Sequence, residues 1–240
     1  MIKRILIIGF GMMGKSHLYS FINSKHKYQI SIYDKKNYSK IEISNYFNKV
    51  NFLKKFPKKK KYDCVIIATS SDIRFLLLKK ILKFNKVNKV ILEKFIFPKI
   101  VQYKKFAKFS ENYKDLILKV NTWGDYLYRN LKLPKNIKNN NVKIFVPEGT
   151  LLSNTIHYLD FCFRKIQKIE INLNLKRIIN SKRNSYHEAL GKISINTSQK
   201  QISIQTSKNK NDKMVFLKGY RLILRFSQFT VFKKKKLFKE

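Results

Sequence analysis

The stretch Ile5-Leu6-Ile7-Ile8-Gly9-Phe10-Gly11-Met12-Met13-Gly14 decides the fold. Its apolar start predicts a short strand, and residues 15–22, which come after it, predict a helix. In such a unit the first glycine makes the turn, the second lets the backbone approach a pyrophosphate, and the third lets helix and strand pack closely. The N-terminus of the helix then offers unpaired N–H groups to the phosphates. The stretch therefore predicts a dinucleotide-binding site.

An acidic residue stands at the position that this site requires. Residues 28–33 alternate between apolar and polar like a strand, and Asp34 comes directly after them, about 20 residues beyond the last glycine. A carboxylate there accepts both ribose hydroxyls of an adenosine and repels a 2′-phosphate, which favours NAD over NADP. Lys35 and Lys36 weaken that preference, so NADP stays open as a cofactor.

Composition predicts a globular protein without a membrane span. The chain has 240 residues, 44% of them hydrophobic, and no apolar stretch approaches the ~18 residues that cross a bilayer. The basic start and the apolar run after it are shorter than a signal peptide and continue into the glycine motif, so we expect a cytoplasmic protein. Cys64 and Cys162 match no metal or redox spacing, and we expect buried thiols and no metal site.

The net charge of +39 would ordinarily indicate nucleic acid or an anionic membrane as the partner. The positive charge comes mainly from lysine, and it is spread along the whole chain together with Asn, Ile, Phe and Tyr. An AT-rich coding sequence supplies these residues without any selection for a partner. No zinc-finger spacing or RNP-like strand accompanies the charge. We therefore expect no nucleic-acid partner.

The pattern along the chain predicts two domains. Strands alternate with helices over residues 1–122, which predicts a doubly wound parallel sheet of the Rossmann type. A weak helix is predicted over 41–47 within it. Residues 123–240 predict a smaller α+β domain, with a loop over 131–141, a helix over 149–165 and then an open, mostly antiparallel sheet.

Five motifs occur in the order found in one known family. They are the glycine motif, Asp34, Ala68-Thr69-Ser70-Ser71, Glu93-Lys94 and Ile156-His157-Tyr158-Leu159-Asp160. In this order the chain resembles the Gfo/Idh/MocA oxidoreductases from about residue 3 to about residue 225. The resemblance implies that NAD(P) binds the first domain, that a sugar or polyol binds against the sheet of the second, and that a homo-oligomer forms.

The resemblance also implies the functional residues. The catalytic residues would be Lys94 and His157, and substrate would be bound by Trp123, Asn154 and Asp160. The cofactor would be bound by Gly9, Phe10, Gly11, Met12, Met13, Gly14, Asp34, Lys35, Thr69, Ser70, Ser71, Glu93 and Lys94.

Four positions depart from the family pattern. Phe95 replaces the proline that normally comes after the Glu-Lys pair, and Ser153 and Thr155 replace the usual Asp and Gly before His157. Arg74 stands where many members have a histidine. These departures concern the turn after Lys94 and the proton relay.

The chemistry of alcohol oxidation agrees with the implied residues. A hydride leaves for the nicotinamide while a base with a pKa near neutrality removes the hydroxyl proton. His157 suits that task, and Lys94 can stabilise the developing alkoxide. Asp160, one helical turn after His157, can orient the imidazole or bind a substrate hydroxyl.

We expect an NAD(P)-dependent oxidoreductase that acts on a secondary alcohol of a sugar, polyol or nucleotide-sugar derivative, with surface polysaccharide biosynthesis as one setting. The alternative is a cofactor-binding regulatory or assembly subunit with little catalysis. The alternative stays open because the chain is shorter at its C-terminus than most of the proteins it resembles, which puts the substrate pocket in question.

Overall fold

The structure is a computed structural model that describes residues 2–36, 50–124, 141–163, 169–181, 186–198 and 200–207, and the backbone of three further strands within 213–233. The helix predicted over 41–47 and the loop predicted over 131–141, apart from Asn141, lie outside the described residues. The chain divides into two compact units, residues 1–121 and 122–240.

The first unit is built around a six-stranded sheet in which all paired strands are parallel, in the order β3-β2-β1-β5-β7-β8. A two-stranded sheet, β4-β6, accompanies it. The strands are β1 (Lys3–Ile8), β2 (Tyr28–Tyr33), β3 (Asn51–Leu53), β4 (Lys61–Tyr62), β5 (Cys64–Ile67), β6 (Lys86–Val87), β7 (Lys89–Glu93) and β8 (Ile117–Asn121). The described helices are α1 (Met12–Ile22), α2 (Ser71–Phe84) and α3 (Ile100–Ser110).

Helices cover both faces of this sheet, which is why its central strands are apolar throughout. β5 is buried along its whole length, and β1 is buried from Ile5 onwards. Leu18 of α1 belongs to the core on one face, while Leu78 and Ile81 of α2 belong to the core on the other. Strands buried on both faces need continuous apolar runs. The predicted doubly wound parallel fold is confirmed.

The second unit contains a seven-stranded sheet in the order β10-β11-β12-β9-β13-β14-β15. Its elements are β9 (Val142–Pro147), α4 (Leu151–Cys162), β10 (Glu170–Asn180), β11 (His187–Asn196), β12 (Gln201–Ser207), β13 (Lys213–Leu217), β14 (Tyr220–Arg225) and β15 (Gln228–Lys233). α4 packs on β11 and β12, and the core between helix and sheet includes Leu151, Tyr158, Ile193, Ile195, Ile202 and Ile204. The alternation predicted for β11 and β12 is confirmed, because these isoleucines share the buried face.

The strand β9 was not predicted. It lies inside the sheet, where it pairs parallel with β12 and antiparallel with β13, and every other pair is antiparallel. Val142, Ile144 and Val146 are buried and alternate with more exposed residues, so the strand period is present in the sequence. The sheet is mostly antiparallel, as expected, with one parallel pair. None of the described helices is long and apolar enough to cross a membrane.

Candidate active site

The glycine turn between β1 and α1 has the conformation that the sequence motif predicts. Gly9 has φ +94°, a value that side chains rarely adopt, and its N–H donates to Tyr33 O at 2.9 Å. A Cβ at Gly14 would lie 2.0 Å from the Gly9 carbonyl oxygen. The first glycine therefore makes the turn, and the third lets α1 pack against it.

Gly11 faces open space instead. No atom lies within 4 Å of the position that a Cβ would occupy there, and Gly11 is exposed. α1 begins at the next residue, Met12, and no side chain among the described residues caps its N-terminus. The N-terminus of α1 is therefore the place where the sequence motif predicts the pyrophosphate to bind. Met12 is exposed and Met13 half-buried beside it.

Asp34 is tied to this turn. Its Oδ2 accepts the Phe10 N–H at 2.5 Å, and its Oδ1 accepts the Lys36 N–H at 2.9 Å. An ionised carboxylate has about four acceptor positions on its two oxygens, and these two hydrogen bonds occupy one on each oxygen. The Phe10 side chain is fully buried and packs edge-on against Phe52, so only the backbone of Phe10 is available to a ligand. Lys35 is exposed next to Asp34.

The ends of β5 and β7 carry the other predicted cofactor residues. Thr69 is half-buried and Ser70 is exposed, whereas Ser71 is buried at the start of α2. Lys94, half-buried, comes directly after the last residue of β7. In the parallel order of this sheet β5 and β7 lie on the opposite side of β1 from β2. A dinucleotide whose ribose bound Asp34 would therefore extend across β1 towards Thr69 and Lys94.

Glu93 holds three elements of the first unit together. Its carboxylate is buried, and its Oε1 lies 2.7 Å from His17 Nε2 and accepts the Asn121 Nδ2–H at 2.7 Å. These contacts join the end of β7 to α1 and to the end of β8. His17 was not singled out from the sequence. His17 comes three residues after Gly14, so the two residues share one face of α1. That spacing was the only feature of the sequence that could have indicated a role for His17 near the glycine turn.

In the second unit, His157 lies on α4 with only 6% of its surface exposed. The Trp123 N–H donates to its Nδ1 at 3.3 Å, and the two rings stack with centroids 4.7 Å apart. Since a backbone N–H can only donate, this geometry assigns the proton of the neutral imidazole to Nε2. His157 thus has a defined tautomer that presents an N–H donor.

The predicted substrate residues of this unit lie around His157. Asp160 accepts a hydrogen bond from Thr122 Oγ1 at 2.5 Å. A Cβ at Gly124 would lie 2.3 Å from the His157 carbonyl oxygen, so residues 122–124 lie directly on α4. Asn154 is half-buried, about one turn before His157 on the same helix. The structure thus brings Trp123, Asp160 and His157 together.

Glu188 of β11 binds the N-terminal turn of α4. Its carboxylate is buried, and it accepts the N–H groups of Leu152 at 2.8 Å and Ser153 at 3.1 Å. A carboxylate at these positions satisfies unpaired N–H groups and complements the helix dipole. Nothing in the sequence around Glu188 indicated this role, because its partners are 35 and 36 residues away. Among the described residues, no group of three His, Cys, Asp or Glu side chains could hold a metal ion.

Comparison with known proteins agrees with the Rossmann fold of the first unit. Residues 3–121 match the sequence model of the oxidoreductase family with an NAD-binding Rossmann fold, Gfo/Idh/MocA. The chain belongs to the Gfo/Idh/MocA oxidoreductases. It is therefore an NAD(P)-binding enzyme that acts on a small-molecule substrate. No curated protein has a significantly similar sequence.

Solved structures share the fold of this Gfo/Idh/MocA protein at low sequence identity. An oxidoreductase from Bacillus cereus is 15% identical with a TM-score of 0.64, over 93% of this chain and 71% of that one. The dehydrogenase MviM from Clostridium difficile is 14% identical with a TM-score of 0.61, over 99% and 84%. Biliverdin reductase from Synechocystis, in complex with biliverdin and NADP+, is 14% identical with a TM-score of 0.56, over 96% and 84%.

Proposed function

We propose that this enzyme prefers NAD to NADP and transfers a hydride between the nicotinamide and a secondary alcohol of a sugar, polyol or nucleotide-sugar derivative. The observation that carries the cofactor preference is the position of Asp34. Its carboxylate is fixed by the Phe10 and Lys36 N–H groups beside the open helix N-terminus, where a ribose 2′-phosphate would meet a negative charge.

The cofactor would supply the hydride acceptor or donor, and we propose that Lys94 and His157 are the catalytic residues. The Lys94 ammonium can stabilise negative charge that develops on a substrate oxygen. His157, in the tautomer that the Trp123 N–H favours, offers its Nε2–H as a proton donor. A donor at this position suits reduction of a carbonyl, and oxidation requires the ring to accept a proton instead.

A sugar-like substrate is supported by the residue types around His157. Asp160 offers a carboxylate, Asn154 an amide and Trp123 an aromatic ring. Carboxylate and amide groups bind hydroxyls in pairs, and an aromatic ring packs on the C–H face of a sugar. The competing proposal, a regulatory subunit with little catalysis, would need none of these groups to contact a substrate.

The first test is a thermal-shift titration with NAD, NADH, NADP and NADPH at one moderate salt concentration, since a ligand of the folded state raises its stability by mass action. We expect NAD and NADH to raise Tm at lower concentration than the phosphorylated pair. Fixed salt matters because a chain of charge +39 attracts any anion. Stabilisation by NADH, together with NADH consumption in the presence of keto-sugars, supports the enzyme; stabilisation without turnover of any sugar favours the regulatory subunit.

A further inference from the structure

Arg74 is a buried cation without a role in the proposed chemistry. It lies in the first turns of α2 and is 2% exposed. Burying a guanidinium is costly unless its N–H groups are hydrogen-bonded. The structure provides those bonds to Nη1 and Nη2 through backbone carbonyls, whereas Nε has no hydrogen-bond acceptor among the described residues.

The guanidinium joins two strand ends. Nη2 donates to Thr69 O, at the end of β5, and Nη1 donates to the carbonyls of Glu93 at 2.5 Å, Phe95, and Ile96 at 3.2 Å, at the end of β7. Two of these carbonyls belong to the residues directly before and after Lys94. Arg74 therefore fixes the backbone on both sides of Lys94 and ties it to the loop that carries Thr69.

We propose that Arg74 is the positioning residue for the nicotinamide half of the cofactor. The inference rests on the proposed function. The adenosine half binds at Asp34 and the glycine turn, so the nicotinamide half extends to the ends of β5 and β7, which Arg74 joins. Because Arg74 is buried, it acts through the Thr69 loop and the Lys94 turn rather than by touching the ligand.

Only arginine suits this arrangement. Its guanidinium is planar, stays charged and directs five N–H donors in a fixed fork, which matches carbonyls from two separate strand ends. A lysine ammonium directs three donors from one point and cannot reach both ends at once. Arg74→Lys therefore keeps the charge and loses the bridge, whereas Arg74→Met loses both.

The test compares NADH with ADP-ribose, which lacks the nicotinamide. Binding of both to the full-length protein is measured by isothermal titration calorimetry, and the enhanced fluorescence of bound NADH reports the nicotinamide environment. For Arg74→Lys and Arg74→Met we expect NADH to bind about tenfold more weakly, with loss of the fluorescence enhancement. We expect the Kd for ADP-ribose to stay within about twofold of the wild-type value.

Leu78→Ala is the matched control. Leu78 lies on the same helix, is fully buried in the core of the first unit, and has a side chain that cannot hydrogen-bond to the strand-end carbonyls. The Leu78→Ala variant should loosen the packing of α2, so it shows how destabilisation alone changes the affinities for NADH and ADP-ribose. An Arg74 variant that weakens binding of NADH and of ADP-ribose equally, which is the pattern we expect from Leu78→Ala, or that weakens neither, overturns the inference. If the wild-type protein binds neither ligand, the proposed function fails as well, and the two failures are thus distinguished.

Discussion

Alanine at Gly14 and alanine at Gly11 should separate the structural and the cofactor-binding roles of the glycine turn. In Gly14→Ala, the new Cβ would lie 2.0 Å from the Gly9 carbonyl oxygen, where ordinary contacts begin at 3.4 Å. The obstacle is backbone, so α1 and the turn must move apart by more than an ångström. In Gly11→Ala, nothing lies within 4 Å and φ is −69°, which alanine adopts without strain.

The two changes should therefore differ in stability by a measurable amount. Overpacking a close contact costs about 1–3 kcal/mol, and alanine recovers up to about 1 kcal/mol of helix propensity. For Gly14→Ala we expect a net loss of about 2 kcal/mol in the free energy of unfolding, because backbone cannot yield as a side chain does. For Gly11→Ala the entropy gained from the unfolded chain offsets a poorer N-cap, so we expect a change within about 0.5 kcal/mol.

The effect on cofactor binding should be specific to Gly11→Ala, the variant whose stability we expect to be nearly unchanged. The methyl group of Gly11→Ala occupies the space that we assign to the pyrophosphate, so NADH affinity should fall about tenfold, or ~1.4 kcal/mol, in a protein of normal stability. Urea unfolding monitored by circular dichroism measures the first quantity, and calorimetric titration with NADH measures the second. Wild-type stability in Gly14→Ala, or wild-type NADH affinity in Gly11→Ala, would refute our reasoning about this turn.

Four further changes test other parts of the molecule. Asp34→Asn removes the charge that opposes a 2′-phosphate, so the affinity for NADPH relative to NADH should rise about tenfold in calorimetric titrations; an unchanged ratio contradicts the proposed NAD preference. Lys94→Ala should lower turnover by at least about a hundredfold and leave the Kd for NADH nearly unchanged, and normal turnover would exclude Lys94 as a catalytic group. Tyr158→Phe should leave stability unchanged or raise it by up to about 1 kcal/mol, because the Tyr158 hydroxyl is buried without a hydrogen-bond partner among the described residues, and burial raises its pKa; a clear loss in urea unfolding would reveal a partner. A hydrogen bond from Ser70, with smaller contributions from the backbone at the start of α2 and from Arg74, lowers the pKa of Asp72. The Asp72 carboxylate therefore stabilises the folded protein above pH ~4, and this stabilisation is lost as the pH falls through the folded-state pKa. Asp72→Asn should accordingly cost about 0.3–1 kcal/mol at pH 7 and progressively less as the pH falls below ~4, and a cost that does not change with pH would contradict the charge argument.

Local patterns were enough to predict the fold of the first unit. The apolar runs of β1 and β5, the glycine spacing and Asp34 are each readable within one element, and the parallel topology brings their ends to one edge of the sheet. β9 shows the same kind of signal, with Val142, Ile144 and Val146 on one face. It was missed because the Asn- and Lys-rich segment before it suggested a continuing loop.

The residues that hold the site in place could not be predicted in the same way. Glu188 binds the start of α4 from a strand 36 residues away, and His17 meets Glu93 across 76 residues. Such contacts depend on how strands are ordered in a sheet, which no local period encodes. The residue types were visible, but their partners were not.

The turn after Lys94 is held by a contact of this long-range kind. The sequence lacks the proline that normally comes after the Glu-Lys pair in the Gfo/Idh/MocA family, and from the motif alone the turn is in doubt. In the structure, the guanidinium of Arg74 fixes the turn through hydrogen bonds to the carbonyls of Glu93, Phe95 and Ile96. Two of the departures from the family pattern, at Phe95 and at Arg74, thus fall on the two partners of one contact. A missing motif residue is therefore weak evidence for a lost activity where a distant side chain fixes the same backbone.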